Sequence, residues 1–481
     1  PHPAVRNSYD AAGRLIRVEQ GTLAAWQPDT VAPALWPGFT ALKYVDTGYD
    51  ALDRKTRESV SGGNVTASVT EYGYDLAGRI RCTAVRMNPD SWAAPLPDKC
   101  VPGPAHAVHG QDRITRNVYD SAGRLAEVWD GVGTPLQRRE AHYTYNGMGK
   151  KASLTDARGF LAEMKYDAFD RQSRWVFPSK TSPGVADPGD YEEYRYDSDG
   201  NRTSLRKRDG SVLTFHYDAL DRMTAKLVPE RAGLSAAQTR DIYYDYDLRG
   251  LQTKAHFDGL GGEGVTTHYD GFGRVTSSTI AMAGTSRTIG HVYDGDGNRI
   301  RINHPDAFFT YEYDGLGRFS RARENGGDPI AGVDYDSAGR PASSGWSAPT
   351  AYGYDAVGRL ASLSHNLAGT AADQVIGLTY TPAGQILSRS GSNDAYAWTG
   401  SVAVSRDYGV NGQNQYTGTV SNGSPSATFA YDPNGNLISD GSTNFVYDVE
   451  NRLVSASGAK NAALVYDPLG RLFQVSSSGP A

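Results

Sequence analysis

The feature that most constrains this chain is a short string that recurs along nearly all of its 481 residues. A tyrosine followed by an acidic residue leads, four positions after the tyrosine, into a residue that tolerates positive φ. The tyrosine stands at Tyr9, Tyr49, Tyr74, Tyr119, Tyr145, Tyr166, Tyr196, Tyr217, Tyr246, Tyr269, Tyr293, Tyr313, Tyr335, Tyr354, Tyr380, Tyr408, Tyr431, Tyr447 and Tyr466. Sixteen of these 19 are followed by Asp. The position four after the tyrosine is Gly in 15 copies, among them Gly13, Gly78, Gly123, Gly200, Gly273, Gly317, Gly358 and Gly470; it is Asp at 53, 170 and 221, and Asn at 451. Only these residue types occupy left-handed backbone at low cost, so the site predicts a type I turn closed by a left-handed residue. The Asp side chain is suited to cap that turn by accepting a backbone N–H two residues on.

Between the turns the chain alternates. From Tyr196 to Arg222, one polar run reaches Asp209-Gly210, and a second places Leu213, Phe215 and Tyr217 on one face and Val212, Thr214 and His216 on the other. Each repeat of about 20 residues therefore reads as strand, turn, strand, turn. A repeat buries surface only against its neighbours, so the whole length reads as one array over residues 1–481 rather than three domains. The apolar share of 39% and mean hydropathy of −0.51 fit a thin sheet with a wetter face. The 30 tyrosines supply apolar area with a polar tip. Proline-rich stretches at 20–40, 82–112, 176–190 and 228–240 are predicted as loops or edge covers, with a helical turn in the Ala-rich part of the last. Motif residues two apart, such as Tyr194 and Tyr196, share a face, which predicts aromatic ladders between neighbouring repeats. Arg follows the left-handed position in 12 copies and reads as turn and cross-strand pairing rather than a ligand contact.

The strings YDAAGRL (Tyr9 to Leu15), YDSAGRL (Tyr119 to Leu125), YDGLGRF (Tyr313 to Phe319) and YDPLGRL (Tyr466 to Leu472) resemble the Rhs/YD-repeat family almost letter for letter. That family includes bacterial polymorphic toxins, insecticidal toxin complex C components, wall-associated proteins and teneurins. The resemblance implies an all-β array of hairpins forming a long curved or spiralling antiparallel ribbon, part of a hollow shell. It implies a structural shell segment of a secreted toxin, housing a C-terminal toxic domain outside this chain. The alternative is a cell-surface or wall-associated adhesion protein that binds glycans or partner proteins. The partners expected are the missing remainder of the chain and its cargo, a second shell subunit, or self-association through a sheet edge. The array reads as a piece of a longer protein, secreted or on a bacterial surface.

Chemistry-bearing constellations are few. Cys82 and Cys100, both in the 82–112 insertion, leave three readings open: a disulfide closing a loop of about 19 residues and worth roughly 3 kcal/mol, free thiols, or a zinc site with His106 and His109. The string Gly259 to Gly264 matches GxGxxG, but Val265 to Tyr269 after it reads as a strand, so it is a hairpin loop. Asp294, Asp296 and Asn298, like Asp432, Asn434 and Asn436, lack the rest of a calcium loop and read as turn residues. The family's aspartyl self-cleavage motif resembles DPxGL; Asp467-Pro468-Leu469-Gly470-Arg471 and Asp432-Pro433-Asn434-Gly435-Asn436 both carry a different residue after Gly and sit in ordinary repeats. No catalytic, metal or cofactor-binding residue is assigned, and no enzyme activity is expected. The net charge of −6, with both signs mixed, gives no nucleic-acid footprint, and no apolar run is long enough to span a membrane. Strand spacing predicts a ribbon making about one circuit, with a polar concave surface, an unpaired edge and no stacked layers.

Overall fold

A computed structural model describes residues 2–367 and 369–477. It is built almost wholly from antiparallel strands, 39 of them, with five single 3-10 turns and no α-helix among the described residues. The first thirty strands, from His2–Tyr9 to Ile386–Gly391, belong to one sheet; three strands within 406–428 and six within 430–476 form two further sheets. Partners are neighbours in sequence: Ala186–Tyr196 pairs with Arg202–Arg206, which pairs with Val212–Tyr217, which pairs with Met223–Leu227. Alternation decides the faces. Leu213 is buried, whereas Val212 and His216 face solvent.

Contacts divide the chain into two compact units, Pro1–His142 with Thr310–Gly400, and Tyr143–Phe309 with Ser401–Ala481. The first has a small core of Cys82, Ala84, Cys100, Ile114 and Val132, with Trp129 packed against it. The second has one of Ile242, Phe257 and Met282, joined by Tyr244, Ile280 and Phe473.

The motif makes one turn repeatedly. In the Asp314 copy the Asp N–H donates to Arg318 O at 2.9 Å and the Gly317 N–H donates to Asp314 O at 2.9 Å. The register then slips by one residue at the tyrosine, as between Ser8 and Tyr9, so each turn carries a bulge. Gly13, Gly78, Gly123, Gly200, Gly273, Gly317, Gly358 and Gly470 have φ between 71° and 96°. Asp53, Asp170, Asp221 and Asn451 have φ of 59–65°. Gly317→Val is expected to cost about 1–3 kcal/mol, because a β-branched residue is strained there. Gly317→Asn should cost clearly less. Urea unfolding of both variants checks this, and equal losses would sink the backbone explanation.

Four expectations need correction. The copy read at Tyr408 sits two residues later. Asn411 N–H donates to Gln415 O, Val410 takes the tyrosine's place opposite Tyr416, and Asn414 at φ 61° is the left-handed residue. Gly412 is required for close approach instead: a Cβ there lies 2.1 Å from Ser179 O. Next, Cys82 lies in the strand Ile80–Val85 rather than in the insertion, because the ladder with Gly73 continues through it. Part of the 176–190 stretch is also strand. Ala186–Tyr196 contains Pro188, near the irregular pairing of Pro178 with Ala186. Finally, the ribbon does stack. Within the second unit late turns rest on return turns, which join one repeat to the next, more than 200 residues earlier, as Asn411 does on Arg158 and Asn434 on Arg208. In the first, Ala356 O lies so close to Gly62 that a Cβ there would come within 1.9 Å.

Candidate functional site

The site that recurs is a clasp of Asp, Arg and Tyr. The Asp Oδ1 accepts two backbone N–H groups: in the Asp218 copy, from Leu220 at 2.9 Å and Arg222 at 3.0 Å. Its Oδ2 accepts from the Arg222 Nε at 2.7 Å. The same guanidinium lies over the tyrosine of the next repeat, with Arg222 Cζ 4.8 Å from the Tyr246 ring centre. That tyrosine's hydroxyl reaches back and donates to Met223 O, the residue after the arginine, at 2.8 Å. The geometry repeats: Tyr49 donates to Leu15 O, Tyr74 to Lys55 O, Tyr293 to Val275 O, Tyr380 to Leu360 O and Tyr466 to Leu453 O. Arg54, Arg274, Arg359 and Arg452 cover the corresponding rings. Each tyrosine bond is worth about 0.5–1.5 kcal/mol and each stacked guanidinium about 0.5–1 kcal/mol where exposed.

This revises the expected aromatic ladders. Among the ring pairs described, none joins motif tyrosines of successive repeats; one short ladder of the expected kind runs Tyr408–Tyr416–Phe429, with ring centres 4.9 and 6.1 Å apart, whereas Trp175–Phe177 and Tyr311–Phe319 are more local. What lies between successive motif tyrosines is the guanidinium. The arginine is thus a turn residue, as its spacing suggested, and also the link between repeats.

The clasp acts on the carboxyls. Asp10 and Asp75 are held below the usual carboxylate range first by the backbone N–H of Arg14 and Arg79, then by the guanidiniums. For Asp50 and Asp314 the guanidinium comes first and the backbone second. Depressed native values stabilise the fold above the unfolded carboxyl value of about 3.9, and that stability is lost as pH falls through the native values. The urea midpoint is therefore expected to fall steeply only below about pH 4. Asp314→Asn should remove part of that slope while keeping the turn, since Asn146 already caps one by accepting from Met148 and Lys150 N–H. A midpoint that drops between pH 7 and 5 instead would count against the clasp.

Two singular clusters stand outside the repeat. In the first unit Cys82 and Cys100 are bonded, with Cα atoms 5.6 Å apart. The bridge lies against Gly73, where a Cβ would come within 2.8 Å of Cys82 Sγ. Beside it, buried Arg86 donates to Glu71 Oε2 at 2.7 Å, Asp112 Oδ2 at 2.8 Å and Val101 O at 2.9 Å. Lys99 Nζ donates to Glu71 Oε1 at 3.0 Å, and Asp112 also accepts from Met87 and Gly103 N–H. This network ties the 86–112 insertion to the sheet. His106 and His109 stack with ring centres 4.6 Å apart in a turn closed by two backbone bonds between His106 and Gly110. Their candidate sulfur partners are engaged with each other, and the described residues hold no cluster of three or more metal-ligating side chains.

The second unit has a polar seam. Arg208 grips Asp190 through Nε at 2.7 Å, and donates to Gln413 Oε1 at 2.7 Å and Asn434 O at 3.2 Å. Asn434 Nδ2 donates to Asp209 Oδ2 at 2.9 Å, and Asp209 also accepts from Arg231. Arg231 donates in turn to Tyr447 O, and Lys226 pairs with Glu450. Asp432 and Asp467 each cap an ordinary turn: Asp467 accepts from Leu469 and Arg471 N–H, and Asp432 from Asn436 N–H. Asp294 does the same with Asp296 and Asn298. Gly264 opens a strand, so the glycine-rich string is a hairpin loop. Among the described residues, no helix is long and apolar enough to cross a membrane.

An antiparallel ribbon of clasped hairpins that rests on its own earlier strands defines a YD-repeat β-ribbon protein. Residues 185–231 match the family model of the RHS repeat. Beyond that match, the recurrent YDxxGR strings of the chain resemble those of the Rhs/YD-repeat family. It is 25% identical over 398 residues to double-stranded DNA deaminase toxin A of Burkholderia cenocepacia (strain H111), covering 76% of this chain and 26% of that one. Its fold is shared with the crystal structure of TcdB2-TccC3-Cdc42, at TM-score 0.56 and 15% identity over 99% of this chain and 29% of that one. It is shared also with the Photorhabdus luminescens Tc holotoxin pore carrying the mutation TccC3-D651A, at TM-score 0.55 and 14% identity, over 99% and 28%. The chain thus spans between a quarter and a third of these relatives.

Proposed function

We propose that this chain is a structural shell segment of a secreted, Rhs-type bacterial toxin, and that the wall it builds encloses a toxic domain carried after the array in the same polypeptide. The observation that carries this reading is the use of the clasp. A carboxylate, a guanidinium and a phenol recur in one geometry for repeat after repeat, the carboxylate satisfied within its own turn, the guanidinium by the next repeat and the phenol by the one before, rather than poised toward a cleft. A catalytic set is singular and tuned by its surroundings; this one is spent on holding strands side by side and stacking them. The fold shared with the Tc structures and the likeness to a named toxin support the shell role, with the remainder of the chain as the first partner and the array itself structural rather than catalytic.

The test is protection. The full-length polypeptide of the gene is digested with a broad protease, beside the isolated segment that follows the array. The segment should survive far longer within the full-length protein, and host cells expressing it without the array should lose viability. Cleavage at equal rates in both settings would overturn the enclosure. Specific capture of the array on an array of surface glycans, with no protection, would favour the adhesion reading instead.

A further inference from the structure

In the first unit the strands Leu360–His365, Gln374–Tyr380 and Ile386–Gly391 make the floor of a cavity of about 570 Å3. The register sets His365 opposite Gln374, Ile376 opposite Gly391 and Leu378 opposite Arg389. Alternation puts these residues on one face of the sheet. Gly391 has no side chain to fill that floor, and a Cβ there would come within 2.8 Å of Gln374 Nε2. The wall is the turn Asp394–Tyr396. It is tied down from both ends: Asn393 Nδ2 donates to Ala371 O at 2.9 Å and Asp373 O at 3.0 Å, and the Tyr396 hydroxyl donates to Ala372 O at 2.8 Å.

Polar groups converge on this cavity without partners of their own. Gln374 Oε1 is buried and accepts no hydrogen bond among the described residues. A buried acceptor costs stability until a donor reaches it, so each one asks for an explanation. Arg389 and Asp394 line the same cavity, and neither side chain forms an ion pair or hydrogen bond among the described residues, with each other or with any third group. The clasp arginines differ in this respect, as Arg359 is held by Asp355 at 2.7 Å. His365 places Nδ1 2.9 Å from Thr350 Oγ1, which leaves its Nε2 unengaged. Beside these groups stands an apolar strip of Leu367 and Ile376, with the Tyr396 ring 53% exposed.

A cation, an anion and a buried acceptor in one partly apolar cavity call for a ligand that carries both charges, a donor and an apolar body. The two charges stand apart. Arg389 lies two strand positions, roughly 7 Å, from Gly391, and Asp394 stands beyond it on the turn. A free amino acid carries both its charges on one α-carbon and spans less than this. A short peptide with free ends spans more, and it brings backbone N–H groups as donors. We infer that the cavity is a binding site for a short apolar peptide in its zwitterionic form. Its terminal carboxylate meets Arg389, its ammonium meets Asp394, a backbone N–H reaches Gln374 Oε1, and an apolar side chain lies against Leu367 and Ile376. Because Arg389 and Asp394 cancel, a polyanion gains no net attraction here. The inference rests on this cavity alone and stands whether or not the array encloses a cargo.

The test is calorimetric titration of the 481-residue chain with the dipeptide Leu-Leu, beside N-acetyl-Leu-Leu, Leu-Leu amide and maltose. Leu-Leu should bind saturably, and blocking either end should weaken it at least about tenfold. Two variants assign the ends. Arg389→Gln should bind Leu-Leu and Leu-Leu amide equally, and Asp394→Asn should bind Leu-Leu and N-acetyl-Leu-Leu equally. Both side chains are exposed, so the thermal transition without peptide should not move in either variant. Absence of Leu-Leu binding, equal affinity of the native chain for free and blocked peptides, or variants that keep the native preference would each overturn the inference. Maltose bound in place of Leu-Leu would overturn it too, and would assign the cavity to a neutral sugar.

Discussion

Arg86→Met is expected to lower the stability of the first unit by about 3–5 kcal/mol, the largest loss of any single substitution considered. Glu71 and Asp112 have side chains only 1% and 3% exposed, and Arg86 pairs with both. Removing the guanidinium leaves two carboxylates out of water, with Lys99 at 3.0 Å and Arg57 at 3.9 Å both on Glu71 and neither on Asp112. Two backbone carbonyls, Val101 and Lys99, lose their donor as well. Methionine keeps the volume, so the loss reports charge rather than a cavity. Urea unfolding gives the magnitude, and amide exchange gives the place: protection should fall across 86–112 first. A loss below about 1 kcal/mol would show that the network contributes shape and not energy.

Arg208→Ala is expected to open the seam of the second unit, at a cost of about 3 kcal/mol. Its partner Asp190 is 16% exposed and keeps only the Gln413 amide, which donates to Asp190 Oδ2 at 2.6 Å. The signature is asymmetric. Amide protection should collapse in Arg406–Val410 and Tyr416–Ser421, while Val212–Tyr217, held by ladders on both sides, keeps its own. Uniform loss of protection over both regions would mean that the layers fold as one block and would refute a separable seam.

What could be read in the sequence was what the chain does within a few residues of itself. The left-handed position betrays itself because only Gly, Asp and Asn stand there, and the capping aspartate is four residues from the arginine it holds. The copy at Asn411 was misplaced for the same reason in reverse. Tyr408 looks like the motif letter, but the turn follows the residues that can cap and adopt positive φ, Asn411 and Asn414. The stacking of Arg222 on Tyr246 was not legible, because it joins repeats and leaves no mark on either one's periodicity. Arg86 and Arg208 were passed over altogether. Nothing distinguishes a buried arginine from a solvated one in a sequence with 48 basic residues, until partners 15 to 226 positions away are brought beside it.

The backward reach of the tyrosine hydroxyl gives the ribbon a direction in time. Each repeat is latched by the phenol of the one that follows it, onto a carbonyl already in place, as Tyr246 onto Met223 and Tyr269 onto Gln252. A ribosome delivers the chain in that same order, at about 5–20 residues per second, so a new repeat emerges every one to four seconds and finds its predecessor waiting. No latch needs residues not yet made. The seam obeys the same rule on a longer scale, since Asn434 lands on Arg208 only after the whole intervening stretch has left the tunnel. Growth of the wall is therefore ratcheted from the amino end. A fault in an early return turn such as 207–211 stays silent during synthesis until the later strand pair arrives and has no place to land.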